Sequence, residues 1–238
     1  MEPRFAEVDR LDCRLAPHRW DFAEAEAARI DAHWAERRAR TPALYDGPVL
    51  LARSAAIETA AGARVLCLEA FETRFSRFLA WRDFGWSDTS VFNFFAMPAV
   101  CSTDGAWLVG EMGRDHSAAG RRYFPGGTPD PEDVLENGAV DLMGSLRREL
   151  GEETGLPAHE GAAAEGWTII FDRQRVACIK RLDWPETAAA IRARVLKFIE
   201  AEAEPELSDV HMMAPGRHDD PRLPSFMQAF LARAAETG

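Results

Sequence analysis

The chain has 238 residues, 47% of them hydrophobic, enough for a sizeable core in one elaborated domain or a domain with a subdomain. Its 39 acidic and 28 basic residues give a net charge of −11, and no Lys/Arg cluster counters that average, which excludes a nucleic-acid backbone or an anionic membrane as partner. Cys13, Cys67, Cys101 and Cys178 are scattered without a C-x-x-C pair, the usage expected of a reduced, cytoplasmic protein with ordinary core cysteines.

The first 14 residues are interrupted by Glu2, Arg4, Glu7, Asp9, Arg10 and Asp12 and so lack the apolar core of a signal peptide. No apolar run approaches the roughly 20 residues of a membrane span. From 21 to 38, Ala23, Ala27, Ile30 and Trp34 recur at helical spacing, with acids early and arginines late, as a helix dipole prefers. Thr41-Pro42 ends that helix. Two strands are predicted over 49–58 and 64–71, split by the small-residue turn Ala60-Ala61-Gly62, and residues 75–86 are rich in aromatics and read as helix or loop.

Near Val91 the pattern changes. A strand over 92–102, the turn Thr103-Asp104-Gly105 and a strand over 106–111 form a hairpin; the loop 113–120 then leads to a short strand over 121–124 and the glycine turn Phe124-Pro125-Gly126-Gly127. Strands are predicted at 167–171 and 175–180. An amphipathic helix carrying Ala188, Ile191, Val195 and Phe198 comes next, then a strand over 206–213 and a terminal helix over 226–234.

The most informative stretch is Arg148-Glu149-Leu150-Gly151-Glu152-Glu153-Thr154-Gly155-Leu156. At about 100° per residue, Glu149, Glu152 and Glu153 fall on one side of a helix and can share a cation. Glu149 and Glu153 also continue the sector of Leu142 and Leu146, so the stripe turns from apolar to acidic and its acids face inward or into a cleft. A solvated face would lie opposite the apolar stripe instead. Adjacent acids near a helix C-terminus oppose the macrodipole unless a cation offsets them. Gly155 suits the C′ position, with Leu156 behind it.

These nine residues resemble the second half of the Nudix box, G-x5-E-x7-R-E-U-x-E-E-x-G-U with U aliphatic, and Phe124-Pro125-Gly126-Gly127 resembles the turn that opens it. The first half departs from the pattern. Counting back from Arg148 puts Val140 and Val134 where the glutamate and glycine belong. Counting forward gives Gly126-x5-Glu132 or Gly127-x5-Asp133, an insertion of about seven or eight residues located within 131–139. Glu132, Asp133, Glu136 and Asp141 are the candidates for the missing acid.

The resemblance implies an α/β fold: an α/β/α sandwich with a mixed sheet over 91–238, preceded by an N-terminal α+β subdomain over 1–90. It also implies Mg²⁺-dependent hydrolysis of a nucleoside diphosphate linked to another moiety, with Mn²⁺ able to substitute. In that reading Glu149, Glu152 and Glu153 bind metal together with the Gly127 carbonyl, and Arg148 orients the acids. The enlarged loop and N-terminal segment are similar to Nudix enzymes that act on UDP-sugars, which makes a nucleotide sugar such as UDP-glucose the leading substrate. ADP-ribose or a dinucleotide is the alternative, and a nucleotide-sensing module without catalysis is the reading from another class. The general base is sought among Glu204 and Glu206, with Glu206 favoured. Arg114 and His116 are the candidate substrate contacts. Trp81, Phe84, Trp86, Phe92, Phe94 and Phe95 include candidates to stack on a base, although alternation over 92–95 assigns most of those to the core. His211 reads as structural. A homodimer is left open.

Overall fold

A computed structural model describes residues 2–114 and 116–237. From the N-terminus, β1 (Arg4–Val8) and β2 (Arg10–Leu15) lead to α1 (Asp21–Ala25) and α2 (Ala27–Arg40). The long hairpin β3 (Pro48–Ala60) and β4 (Ala63–Arg74) precedes α3 (Phe75–Asp83). Then come β5 (Asn93–Cys101), β6 (Trp107–Met112), β7 (Arg122–Tyr123), α4 (Leu142–Thr154), β8 (Ala162–Ala163), β9 (Trp167–Asp172), β10 (Arg175–Asp183), α5 (Ala188–Ala201), β11 (Leu207–Met213) and α6 (Ser225–Thr237).

The main sheet is mixed, in the order β1-β9-β10-β5-β6-β11, with β7 on β6 and β8 on β10. Its β10–β5 pair is parallel and its other ladders are antiparallel. Every residue of β5 is buried, because both faces of this central strand are covered. Phe94, Ala96 and Val100 join the core formed by Leu142, Leu146 and Leu150 of α4 and Ile191 and Val195 of α5. Phe95, Met97, Ala99 and Cys101 join the core under Phe226, Met227, Phe230 and Leu231 of α6. Two-residue alternation thus feeds two helical layers, and the domain is an α/β/α sandwich. Each fully buried leucine of α4 contributes about 2 kcal/mol.

The N-terminal segment forms a second, three-stranded sheet, β2-β4-β3, with β2 parallel to β4. Leu50, Leu66 and Leu68 of this sheet share the α4–α5 core, while Trp20, Leu51, Phe71, Phe78 and Trp81 form a separate cluster under α1 and α3. β1, just ahead of it in sequence, pairs instead with β9 at the edge of the main sheet.

Three details correct or complete the sequence reading. The helix expected over 21–38 is broken at Glu26, whose φ −100° and ψ 13° separate α1 from α2. Strands β1 and β2 occupy residues to which the sequence reading assigned no element; both lie at sheet borders, where charged side chains such as Arg4, Glu7 and Arg10 mask the apolar pattern. The aromatic stretch after Arg74, read as helix or loop, is helical over Phe75–Asp83, as α3.

Candidate active site

Strands β5 and β6 share a ladder pair at Cys101↔Trp107, and the turn Phe124-Pro125-Gly126-Gly127 enters alongside β5. Gly126 sits at φ +145°, and a Cβ there would come within 2.8 Å of the Ala96 carbonyl oxygen. Gly127 lies against the box helix so closely that a Cβ would meet Glu149 Oε1 at 2.9 Å. Only glycine lets this backbone and that carboxylate approach one another.

Helix α4 carries the acids. Asp141 caps it, accepting from Gly144 N–H at 2.9 Å, worth about 1 kcal/mol. Asp141 is therefore a helix cap, and not the acid missing from the first half-box. The other end stops at Gly155, φ 68°, with Leu156 fully buried. The lower acids point inward as the helical arithmetic requires. Glu153 is 4% exposed; its Oε1 accepts from Gly126 N–H at 2.7 Å, and its buried Oε2 has no partner. Burial first, then the charges of Glu206, Glu149 and Glu152, raise its pKa well above the ordinary carboxylate value, the Gly126 hydrogen bond opposing them. Glu149 is pushed up to about 7 by burial, with Glu206, Glu152 and Asp133 adding to the effect and Arg148 opposing it. Glu152 stands at the rim, its side chain 62% exposed.

Arg148 organises this group. Its Nη1 donates to Glu149 Oε1 at 3.0 Å and to Glu152 Oε2 at 3.3 Å, while Nη2 donates to both oxygens of Asp133 at 3.1 and 3.3 Å. Burial works against its charge, but the hydrogen bonds it donates to Asp133 and the charges of the surrounding carboxylates more than offset that and raise its pKa. Asp133 is itself buried, ends the short 3-10 turn Pro131–Asp133, and also accepts from Asp130 N–H at 3.2 Å. Of the four candidates for the missing acid, Asp133 is the one paired with Arg148, matching the Gly127-x5-Asp133 spacing. The inserted residues loop out after it and return at the Val134↔Val140 bridge. Removing one partner of a buried pair leaves the other uncompensated. Because Arg148 is one-third exposed, Asp133→Ala is expected to lower unfolding free energy by about 2 kcal/mol. Glu132→Ala and Glu136→Ala should each change it by less than about 0.5 kcal/mol. Denaturant midpoints of the three variants check this assignment, which fails if Asp133→Ala is the mildest.

Glu206 comes from the far end of the chain, just before β11, and its charge is felt by both Glu149 and Glu153. Its side chain is about half exposed, and partial desolvation, then the charge of Glu152, raise its own pKa. His116 Nε2 stands 3.5 Å from Glu206 Oε1, and Ala118 N–H donates to His116 Nδ1 at 3.0 Å. The neutral ring therefore carries its proton on Nε2, toward Glu206. Burial and the nearby Arg82 lower the His116 pKa, favouring that neutral form. Arg114 lines a cavity of about 650 Å³ with His116, Glu204 and Glu206. Glu204 is exposed. His211 is bound to Glu111 at 2.9 Å, a structural contact as expected.

Among the described residues, no three His, Cys, Asp or Glu side chains are spaced, as they stand, to hold a metal ion. Arg148 draws Glu149 to one side, and Glu153 leans on the turn. The donor set nevertheless suits a hard divalent cation: oxygen ligands, clustered negative charge, and one buried carboxylate oxygen without a partner.

Beside the turn lies a cavity of about 250 Å³ reached by Phe75, Phe78 and Trp86 from the N-terminal segment and by Asn93, Phe95 and Gly127 from the main sheet side. Of the aromatics considered for stacking, Trp86 and Phe95 line this cavity. Trp81 and Phe94 are fully buried in the core, and Phe84 stacks under Arg29. The contributions of Phe75, Phe78 and Asn93 carried no motif that would single them out in the sequence.

No protein-family model matches the chain, and no curated protein matches it. Solved structures with a similar fold include the MutT protein of Methanosarcina mazei Go1, at TM-score 0.40 and 14% identity over 61% of this chain and 94% of that one. RenU, a Nudix hydrolase of M. smegmatis, is similar at TM-score 0.36 and 19% identity, covering 60% and 83%. A bifunctional NMN adenylyltransferase/ADP ribose pyrophosphatase of Francisella tularensis, solved with AMP and a Mn ion, is similar at TM-score 0.41 and 14% identity over 68% of this chain and 47% of that one. Likeness at these scores does not identify a reaction, which has to be read from the site residues.

Proposed function

We propose that the protein is a Nudix-type diphosphohydrolase that cleaves the diphosphate of a nucleoside diphosphate linked to a second moiety, with a nucleotide sugar such as UDP-glucose the leading substrate. The observation that carries this reading is Glu153: a buried carboxylate with a partnerless oxygen, held against a glycine turn beside Glu149 and Glu206. A carboxylate in such a place is stabilised by a cation, and substrate phosphates need one too.

Glu149, Glu152 and Glu153, with the Gly127 carbonyl, would hold Mg²⁺, or Mn²⁺ in its place. A bound divalent ion screens the diphosphate, lowers the pKa of the attacking water and stabilises charge on the leaving oxygen. The protein side of the chemistry falls to other groups. Arg148 keeps Glu149 and Glu152 in register through its tie to Asp133. Glu206, with its pKa raised above the ordinary carboxylate value, accepts the proton of the attacking water, and the His116 Nε2–H orients it. Arg114 and His116 stand where phosphate oxygens would approach. Asp133 beside Arg148 favours the catalytic reading over a sensor, since a complete set of acids with its positioning arginine serves turnover.

The aromatic wall contributed by Phe75, Phe78 and Trp86 supports a substrate extending beyond the metals, since a compact triphosphate needs no second wall. No helix among the described residues is long and apolar enough to cross a membrane. The four cysteines are free, which suits the reducing cytoplasm.

The test is a screen with Mg²⁺ of UDP-sugars, ADP-ribose, dinucleotides and nucleoside triphosphates, with products identified. UDP-glucose is expected to yield UMP and glucose 1-phosphate with higher kcat/KM than any triphosphate. Faster cleavage of triphosphates would overturn the substrate, and absence of phosphorus–oxygen cleavage with every compound would overturn the enzyme.

A further inference from the structure

The aromatic cavity does not end at Trp86. It adjoins a second cavity of about 420 Å³, and the two share Arg82, Trp86, Tyr123 and Arg175 in their linings. A continuous cleft therefore runs from the Gly126-Gly127 turn past the rings to Arg121. Its charge is unlike that of the molecule. Although the chain has 39 acidic and 28 basic residues, Arg82, Arg121 and Arg175 line these cavities and no Asp or Glu does.

Nearby acids leave this charge partly uncompensated. Arg82 pairs with Asp83 at 3.0 Å and Arg175 with Asp172 at 2.6 Å. Arg121 donates to the Pro221 carbonyl at 3.0 Å and, among the described residues, has no carboxylate within ion-pair range. Arg175 Nε is buried without a hydrogen-bond partner, and burial, ahead of its neighbours, lowers the Arg175 pKa. A partly buried guanidinium with an unpartnered donor is better satisfied when an anion approaches it. Trp86 is held at φ 62°, a left-handed conformation that costs a bulky residue on the order of 1 kcal/mol. In that conformation its ring stands perpendicular to Trp81 at 4.5 Å and walls both cavities.

We infer that the moiety joined to the nucleotide carries a second anionic group, a carboxylate or a phosphate, which seats among Arg82, Arg121 and Arg175. A nucleotide-linked uronic acid is the simplest substrate of this class. The inference rests on the diphosphohydrolase reading for placing the diphosphate at the glycine turn. Guanidinium forks bind both carboxylate and phosphate, so the two sources need separate comparisons.

The experiment compares UDP-glucuronate with UDP-glucose for a carboxylate, and NADPH with NADH for a phosphate. Binding is measured by calorimetry in metal-free buffer, and kcat/KM with Mg²⁺. At least one pair is expected to favour its anionic member tenfold or more in affinity. Arg121→Gln should bring that ratio within about twofold of one, and Arg121→Lys should retain part of it. Equal affinity within both pairs, or a ratio untouched by Arg121→Gln, overturns the inference. A binding preference without turnover leaves the inference standing and removes the hydrolase reading; turnover without a preference does the reverse.

Discussion

Glu153→Gln is expected to lower kcat at least a hundredfold and, in metal-free protein at pH 8, to raise the melting temperature. The first effect follows from the proposed role of Glu153 as a charged metal ligand at the reacting centre, and a hundredfold corresponds to about 2.7 kcal/mol. The second follows from burial. Glu153 Oε2 is partnerless, and the charges of Glu206, Glu149 and Glu152 press on it, so an isosteric neutral amide relieves desolvation and repulsion together. Glutamine also keeps an oxygen to accept from Gly126 N–H. An acid kept for folding alone would behave oppositely, its loss destabilising the protein. Steady-state kinetics and a thermal melt of one variant distinguish the two roles, and a variant that is both active and less stable would move the site elsewhere.

Excess EDTA is expected to abolish turnover, and the metal-free protein to lose stability as pH rises from about 5 to 8. The direction follows from the sign of the shifts. Glu149 has a pKa near 7 in the fold against an ordinary 4.5, and Glu153 and Glu206 are raised as well. Groups raised in the folded state bind more protons there than when unfolded. Their stabilising contribution is intact below about 4.5, erodes between the two pKa values and is gone above the folded one. For Glu149 the swing is on the order of 3 kcal/mol. Arginine-paired acids such as Glu111 and Asp220, lowered despite their burial, act in the opposite sense at lower pH. The informative quantity is therefore the difference in melting temperature between wild type and Glu149→Gln across the range. That difference should grow with pH in EDTA and shrink when Mg²⁺ is added. A gap independent of pH would show that Glu149 does not titrate as a buried acid.

The box helix was legible because its acids continue the line of Leu142 and Leu146, and helical periodicity alone places such residues against a core. Asp133 was half legible: its spacing from Gly127 pointed to it, but only the fold of the inserted loop separates it from Glu132, Glu136 and Asp141. The meeting of His116 with Glu206 left no trace in either local stretch, since it is created by β11 lying beside β6. The same holds for the cleft. Arg82 sits on α3 and Arg175 begins β10, and what brings them together is packing of one layer on another. Local patterns encode which face of an element is wet or dry; they do not encode which distant element will cover it.

The position of β1 has a consequence for biosynthesis. Phe5 is paired with Ile170, so β1 leaves the ribosome long before the strand it pairs with. At about 5–20 residues per second, that interval lasts roughly ten to thirty seconds. Meanwhile β2 has its parallel partner β4 within reach, and the small sheet can collapse while β1 trails from it as an unpaired strand. Contacts this distant in sequence slow folding and expose a bare edge to other nascent chains. High-level expression should then favour aggregation, and slowing initiation or supplying a holdase chaperone should recover native protein more effectively than adding substrate.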